Sequence, residues 1–275
     1  MIKAVLIGSG NVAWHLAPAL READIRWVQV YSPTLEHASR MAERLGGTEA
    51  GVATTSREDE IFPDADLYFF AVKDDAIEGI SARIAKQIAG REAVAVHVSG
   101  ASPLDGLRQN WARCGVLYAF ASFRITAPCP DLRVTPFCIE ASDPVTLQGL
   151  QQIAQKLSDK VVEMDSPRRL ALHIGGVWVN NYVNLMYTAA EDLFSEAGLD
   201  FSLLYPLIAQ TADKVVQGQP PRRVQTGPAS RGDLATIQRH ETYLSAHTPC
   251  YLELYRILSE FLQEAFEKSP QGSSF

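Results

Sequence analysis

Long apolar runs are missing from this chain of 275 residues. None nears the ~18 residues that a membrane helix requires, so no membrane role is expected. Positive charge is also scarce: 25 Lys and Arg stand against 32 Asp and Glu, a formal net charge of −7. Nucleic acids and anionic membranes are bound through basic patches, which leaves a small molecule as the expected partner. Cysteine is sparse. Cys114, Cys129, Cys138 and Cys250 lie far apart and form no C-x-x-C pair. That argues against a disulfide framework or a metal site and fits reduced thiols in a cytoplasmic protein. The chain opens in a strand, with neither a basic n-region nor an h-region, so no secretory leader is expected. Internal repeats and low-complexity segments are absent as well.

What is present begins at the amino terminus. Ile2-Lys3-Ala4-Val5-Leu6-Ile7 is nearly all apolar, the pattern of a strand buried on both faces. Gly8-Ser9-Gly10-Asn11 follows, and then Val12, Ala13, Leu16 and Leu20 recur at helical spacing. Strand, glycine turn and helix form the context in which a G-x-G-x-x-A signature points to a dinucleotide. Gly8 permits the tight turn, and Gly10 has no side chain to hold a pyrophosphate off the backbone. The helix start offers free N–H groups and a partial positive charge. Gly8, Ser9, Gly10, Asn11 and Val12 are therefore the expected cofactor contacts; the alternative is a tight turn with no ligand.

Further apolar segments alternate with helical ones as far as Asp165, which predicts a doubly wound, mostly parallel α/β sheet. Strands are expected over Ile25–Tyr31, near Thr48–Ala53, and over Asp66–Val72, Ala93–Val98, Gly115–Phe120, Phe137–Glu140 and Val161–Met164. Helices are expected over Leu35–Leu45, from Lys73 to Ile88, from Ser102 to Trp111, and from Asp143-Pro144 to Leu157. The second strand ends in Tyr31-Ser32-Pro33-Thr34, with no acid to bond a ribose 2′-hydroxyl. Ser32, Thr34 and the nearby Arg40 suit a 2′-phosphate better, so NADP is expected over NAD. The alternative is that Ser32 and Thr34 merely cap the next helix. Ligands of open α/β sheets lie across the carboxyl ends of the strands. That places Val72 and Lys73 beside the adenosine and Ser99-Gly100 beside the nicotinamide; the alternative for Lys73 is a solvated turn lysine. His97 is expected in the core.

After Pro167 strand patterns stop. Arg168–Ala197 reads as one long helix, apolar nearly all round, as in a core or a dimer interface. Three further helices are expected over Phe201–Gln217, Gly232–Thr248 and Tyr251–Lys268, with a frayed tail over Ser269–Phe275. The long helix carries a polar stripe. His173, Asn180 and Asn184 fall within about 20° of one line on a regular helix, with Asn181 about 80° away. Gly175-Gly176 beside the stripe costs roughly 1 kcal/mol per residue against alanine, which calls for a close neighbour. A second polar constellation is Thr226-Gly227-Pro228-Ala229-Ser230-Arg231-Gly232-Asp233. There Arg231 suits bidentate capture of a carboxylate, or else a surface pair with Asp233.

Taken together, Gly8-Ser9-Gly10-Asn11-Val12-Ala13, His97-Val98-Ser99-Gly100, Leu172-His173 through Asn180-Asn181, and Thr226-Gly227-Pro228-Ala229 with Arg231-Gly232-Asp233 resemble one bacterial family. That family joins a Rossmann-like NADP-binding domain to a C-terminal helical domain of unknown function. It is similar in plan to pyrroline-5-carboxylate reductase and to the β-hydroxyacid dehydrogenases, including the 6-phosphogluconate dehydrogenase group. The resemblance implies a nucleotide-binding domain over 1–165 and a helical substrate and dimerisation domain over 166–275. It further implies hydride transfer in a cleft between them and a homodimer built from the helical domains. Ser99-Gly100 match the substrate-holding serine and glycine of the β-hydroxyacid dehydrogenases, and Asn181 matches their helix asparagine. Their catalytic lysine has no counterpart on this helix, where His173 is the nearest ionisable side chain. Imidazole as a residue type titrates near ~6.5 and suits proton transfer. The expectation is an NADP-dependent oxidoreductase of a small anionic carbonyl or imine, with His173 exchanging the proton, Asn181 orienting, Ser99 bonding the reacting oxygen and Arg231 holding a carboxylate. The missing lysine leaves a nucleotide-binding sensor or regulatory dimer as the alternative.

Overall fold

The computed structural model describes residues 1–88, 90 and 92–267. It separates into two compact units, Met1–Val177 and Trp178–Phe275.

The first unit is an eight-stranded sheet in the order β3-β2-β1-β4-β5-β6-β7-β8. Its strands are β1 Ile2–Ile7, β2 Ile25–Tyr31, β3 Ala53–Thr55, β4 Leu67–Phe70, β5 Val94–His97, β6 Arg113–Ala119, β7 Phe137–Ala141 and β8 Val161–Glu163. Every pairing is parallel except β6 with β7. The connecting helices are α1 Asn11–Glu22, α2 Leu35–Arg44, α3 Asp74–Gln87, α4 Asp105–Arg108, α5 Pro144–Leu157 and α6 Ser166–Gly176.

Alternation along β1 and β4 explains the double winding. Ala4, Leu6, Leu67 and Phe69 enter one core with Leu16, Met41 and Ile153. Val5, Ile7, Tyr68 and Phe70 enter another with Ile77, Ile84 and Leu107. Each of these larger buried apolar side chains contributes about 1.5–3 kcal/mol, so a strand with no polar face folds only between two helical layers.

Local chemistry sets the boundaries. The expected helix at Asp143-Pro144 runs from Pro144 to Leu157. The Asp143 carboxylate accepts from Val145 N and Thr146 N (3.0 and 2.9 Å) and from the Thr146 hydroxyl (2.6 Å). Those bonds, the Thr146 hydroxyl foremost, hold its pKa down to about 2. A carboxylate depressed in the folded state stabilises above its unfolded pKa, and that contribution is lost as pH falls toward 2. Asp143→Ala is therefore expected to cost about 1–2 kcal/mol near neutral pH. Denaturant midpoints of the two proteins should converge as the pH is lowered through that window.

Three expected elements come out differently. The strand near Thr48–Ala53 is a 3₁₀ turn, Gly47–Ala50, between left-handed Gly46 and Gly51, and pairing begins only at Ala53. The helix from Ser102 to Trp111 shrinks to Asp105–Arg108. Ahead of it, the Ser99 hydroxyl takes Ala101 N and Ser102 N, and Ser166 Oγ takes Leu104 N. The long helix starts at Ser166, where Asp165 caps it, and is interrupted by a π-turn, Val177–Tyr182, before α7 Val183–Glu196. Among the described residues Arg169 is its one fully buried residue, and Trp178 is 61% exposed.

In the second unit α7 is followed by α8 Tyr205–Val216, α9 Pro221–Val224, α10 Leu234–His247 and α11 Leu252–Glu267. Asp233 caps α10 by accepting from Thr236 N at 3.1 Å. The His240 ring and Tyr255 OH hydrogen-bond at 2.8 Å and tie α10 to α11. Lys268 and the tail Ser269–Phe275, expected to end α11 and then fray, lie outside the described residues. Among the described residues no helix is long and apolar enough to cross a membrane, and no group of three or more His, Cys, Asp or Glu could hold a metal ion.

Candidate active site

A cavity of about 750 Å³ crosses the carboxyl ends of the parallel strands, and every residue lining it belongs to the first unit. One wall is the turn after β1. Gly8 has φ +108°, and a Cβ there would sit 2.2 Å from the Ala71 carbonyl oxygen, so both conformation and space demand glycine. A Cβ at Gly10 would meet nothing within 4 Å; the backbone there faces open cavity. Gly10 is the N-cap of α1 and no side chain caps the helix, so the N–H groups of its first turn remain available. Ser9, Asn11 and Val12 line the same wall. The Asn11 carboxamide is engaged elsewhere: its Oδ1 accepts from Ile125 N at 3.0 Å, while the His15 ring and Arg124 O hydrogen-bond at 2.9 Å. These two bonds hold the segment after β6 at the cavity wall.

The end of β2 supplies a basic, acid-free corner. Ser32 is buried and receives the Ser9 hydroxyl at 3.0 Å; Pro33, His37, Arg40 and Trp14 complete the lining. Thr34 occupies the N-cap position of α2 but makes no side-chain cap bond. Two guanidiniums share the Trp14 indole, Arg44 at 4.7 Å from the ring centroid and Arg40 at 5.5 Å. Arg44 also donates to Trp14 O at 2.8 Å, whereas Arg40 has no carboxylate partner among the described residues. Val72 and Lys73, at the end of β4, form the floor together with Asp74.

The far end of the cavity is built by β5, β6 and α6. Ser99 is buried, and its hydroxyl oxygen accepts two backbone N–H bonds while its own hydrogen donates to no partner among the described residues. His97 lies in the core, as expected. Its Nδ1 accepts from Ser99 N at 3.1 Å, and burial, aided by Arg169, pushes its pKa to about 3. His173 reaches the cavity from α6, where its Nδ1 stands 3.2 Å from the Tyr118 hydroxyl. Gly100 is the bare backbone that lets this pair sit there: a Cβ would lie 2.6 Å from Tyr118 Cζ and 2.7 Å from His173 Nδ1. One turn before His173, Arg169 pairs with Glu140 and donates to Ser102 O at 2.6 Å and to Ser166 Oγ at 3.2 Å. Residues four apart share a helix face, so this buried anchor aims His173. The glycine pair is half explained: a Cβ on Gly176 would meet Phe120 Cε2 at 2.7 Å, whereas Gly175 faces nothing within 4 Å.

Of the expected site residues, Gly8, Ser9, Gly10, Asn11, Val12, Ser32, Val72, Lys73, Ser99 and His173 line this one cavity. Asn181 and Arg231 belong to the second unit, and both are exposed, on the π-turn and on the 3₁₀ turn Ala229–Arg231. The Arg231–Asp233 pair does not form among the described residues; Asp233 is spent on its helix cap. Sequence reasoning missed Tyr118, Trp14 and His37. Tyr118 was within reach of the rule that singled out Ser99, since it too stands at the carboxyl end of a parallel strand.

Residues 3–98 match the family described as NADP oxidoreductase coenzyme F420-dependent, and residues 135–261 match DUF2520, a domain of unknown function. A Bacteroides fragilis protein provisionally named as an NADP oxidoreductase is 35% identical, with 96% of this chain and 98% of that one covered and a TM-score of 0.85. The fold recurs in Plasmodium falciparum pyrroline carboxylate reductase, solved with NADP bound, at 14% identity, 95% and 98% coverage and a TM-score of 0.56. It recurs too in an imine reductase of Streptomyces aurantiacus, at 13% identity, 96% and 97% coverage and a TM-score of 0.61. A stretch of 107 residues is 29% identical to the Trk system potassium uptake protein TrkA of Halomonas elongata; it takes in 38% of this chain and only 23% of that protein's length. Nearly complete coverage in both directions at 35% identity decides the matter: the chain belongs to the family of NADP oxidoreductases in which a DUF2520 domain follows the nucleotide-type domain.

Proposed function

We propose that this protein is a cytoplasmic, NADP-dependent oxidoreductase of a small, anionic carbonyl or imine substrate. One observation carries the reading: an uncapped glycine turn and a strand-end constellation of Ser99, Tyr118 and His173 open into the same cavity. The residues present suit a dinucleotide, because Gly10 leaves room at the backbone and the corner beyond β2 is lined by Arg40, which has no carboxylate partner among the described residues, and by no acid. Gly8, Ser9, Gly10, Asn11 and Val12 would hold the pyrophosphate, Val72 and Lys73 the adenosine side, and Ser32, His37 and Arg40 the 2′-phosphate. When bound, the cofactor supplies or accepts the hydride. Ser99 hydrogen-bonds the reacting oxygen or nitrogen, and His173 exchanges the proton.

Asn181 is assigned the orienting role and Arg231 the capture of a substrate carboxylate, both on residue chemistry. The functional domains are proposed as nucleotide binding over 1–165 and substrate binding and dimerisation over 166–275. Exposed Trp178, Val179, Val216 and Phe261 on the helical unit support a homodimer.

Titration with both pyridine nucleotides tests the reading. NADP⁺ is expected to bind more tightly than NAD⁺. Arg40→Ala is expected to weaken NADP⁺ about 10- to 100-fold, the worth of a charge-assisted contact, and to leave NAD⁺ unchanged. Equal loss for the two nucleotides would remove Arg40 from 2′-phosphate recognition. Tight binding without consumption of NADPH by any carbonyl or imine would favour a sensor instead.

A further inference from the structure

Resting on the oxidoreductase reading, we propose that Tyr118 is the immediate proton donor to the substrate and that His173 serves it as a relay. Three observations from separate parts of the chain converge on this pair. The Tyr118 hydroxyl and His173 Nδ1 lie 3.2 Å apart, their rings are edge-on with centroids at 6.1 Å, and both line the cavity beside Ser99. Gly100 presents bare backbone to both side chains, so even one methyl group would push them apart. The Arg169–Glu140 anchor and the Phe120 ring, which meets Tyr118 edge-on at 6.2 Å, pin the relay from below and from the side.

The hydrogen-bonding capacity of the two groups gives the direction of transfer. A neutral imidazole with its hydrogen on Nε2 accepts at Nδ1, and the Tyr118 hydrogen then points at the ring. Protonated imidazole donates from both nitrogens. Nδ1–H then donates to the Tyr118 oxygen and frees the phenolic hydrogen to turn into the cavity. Burial pushes the Tyr118 hydroxyl up to about 12, so it stays protonated near neutral pH and acts as a donor.

In reduction, bound NADPH would supply the hydride to the substrate carbon, and the C=O or C=N π pair would move onto oxygen or nitrogen. That atom takes the Tyr118 proton. Tyr118 recovers one from His173 Nδ1, and the ring is reprotonated by water. The substrate thus gains one hydride and one proton, and both side chains finish with their starting proton counts. Oxidation runs the same transfers backwards from neutral His173.

The test uses the full-length protein with NADPH, glyoxylate as the carbonyl probe and pyrroline-5-carboxylate as the imine probe. Tyr118→Phe keeps the ring and removes only the hydroxyl. It is expected to lower kcat at least ~100-fold, the range of one general acid, with the NADPH Kd unchanged within twofold. The Tyr118→Phe/His173→Ala double variant should be no slower than the more impaired single variant, because the pair acts as a unit. A readout independent of turnover is the ¹⁵N resonance of His173 Nδ1 in the nucleotide-free protein. It should move on Tyr118→Phe and on Gly100→Ala, since each breaks the same bond.

A Tyr118→Phe enzyme retaining more than a third of wild-type kcat overturns the relay, as does an unmoved His173 resonance or additive losses in the double variant. Wild-type protein that binds NADPH and reduces neither probe overturns the oxidoreductase reading, and the relay with it.

Discussion

Replacing His173 by alanine is expected to lower turnover by about 10²- to 10⁴-fold while the Kd for NADPH stays within twofold, the range attributed to one positioned acid–base group. The separation of effects follows from the sheet. His173 reaches the cavity beside the ends of β5 and β6, where it meets Gly100 and Tyr118. The phosphate-type turn follows β1, three strand positions from β6 in the sheet order, which at ~4.8 Å per strand is ~14 Å away. Alanine at 173 therefore removes a proton-transfer group without reaching the glycine turn. Stopped-flow measurement of NADPH oxidation, with fluorescence titration of NADPH alongside, checks both halves. Undiminished turnover takes His173 out of the chemistry; a parallel loss of NADPH affinity makes it a structural residue.

Arg169→Ala is expected to destabilise the first unit by about 3–5 kcal/mol, the cost of leaving one member of a buried ion pair behind. Arg169 is 1% exposed, and its guanidinium ties α6 to Glu140, to the Ser102 carbonyl and to the Ser166 hydroxyl. Among the described residues its Nε hydrogen has no partner. Alanine would leave Glu140 facing a void where its cation was, and would free the helix that aims His173. A double change of Arg169 and Glu140 to methionine should recover much of the loss, because apolar pairs of similar volume often replace buried ion pairs at little cost. Urea denaturation of the single and double variants measures both effects. A single-variant loss below 1 kcal/mol would show that the pair does not hold α6.

Much of the fold was legible because its signals are short-range. A strand with no polar face, a glycine turn and an amphipathic helix are consecutive between Ile2 and Glu22, and each constrains the next. Asp143-Pro144 announces a helix because both capping chemistry and a fixed φ act within one turn. Where distant partners competed for the backbone, local reading failed. Ser102 to Leu104 had helical composition, yet hydroxyls from Ser99 and Ser166 took their N–H groups and left a single turn of helix from Asp105. The long helix read as regular, but Gly175-Gly176 are poor helix formers, and the π-turn begins immediately after them.

The same divide runs through the site. The phosphate-type turn, Ser32, Val72, Lys73, Ser99 and His173 were expected from strand ends and residue chemistry, and the fold brings them to one cavity. The strand-end rule could have found Tyr118, but not its pairing with His173, which lies 55 residues further along the chain. Of the adjacent Arg168 and Arg169 in the long helix, Arg169 is the buried one. Periodicity shows that a helix has an inward face, but not which of two adjacent arginines finds a carboxylate there.

By itself the sequence determined the doubly wound sheet, the nucleotide-type turn and the helical second half, since each depends on residues within a few positions of one another. Only the tertiary structure decided which side chains meet at the strand ends: Tyr118 with His173 across the bare backbone of Gly100, and Arg169 with Glu140 beneath them. Such meetings depend on the register of separate strands and on the rotation of one helix, and no local pattern encodes either.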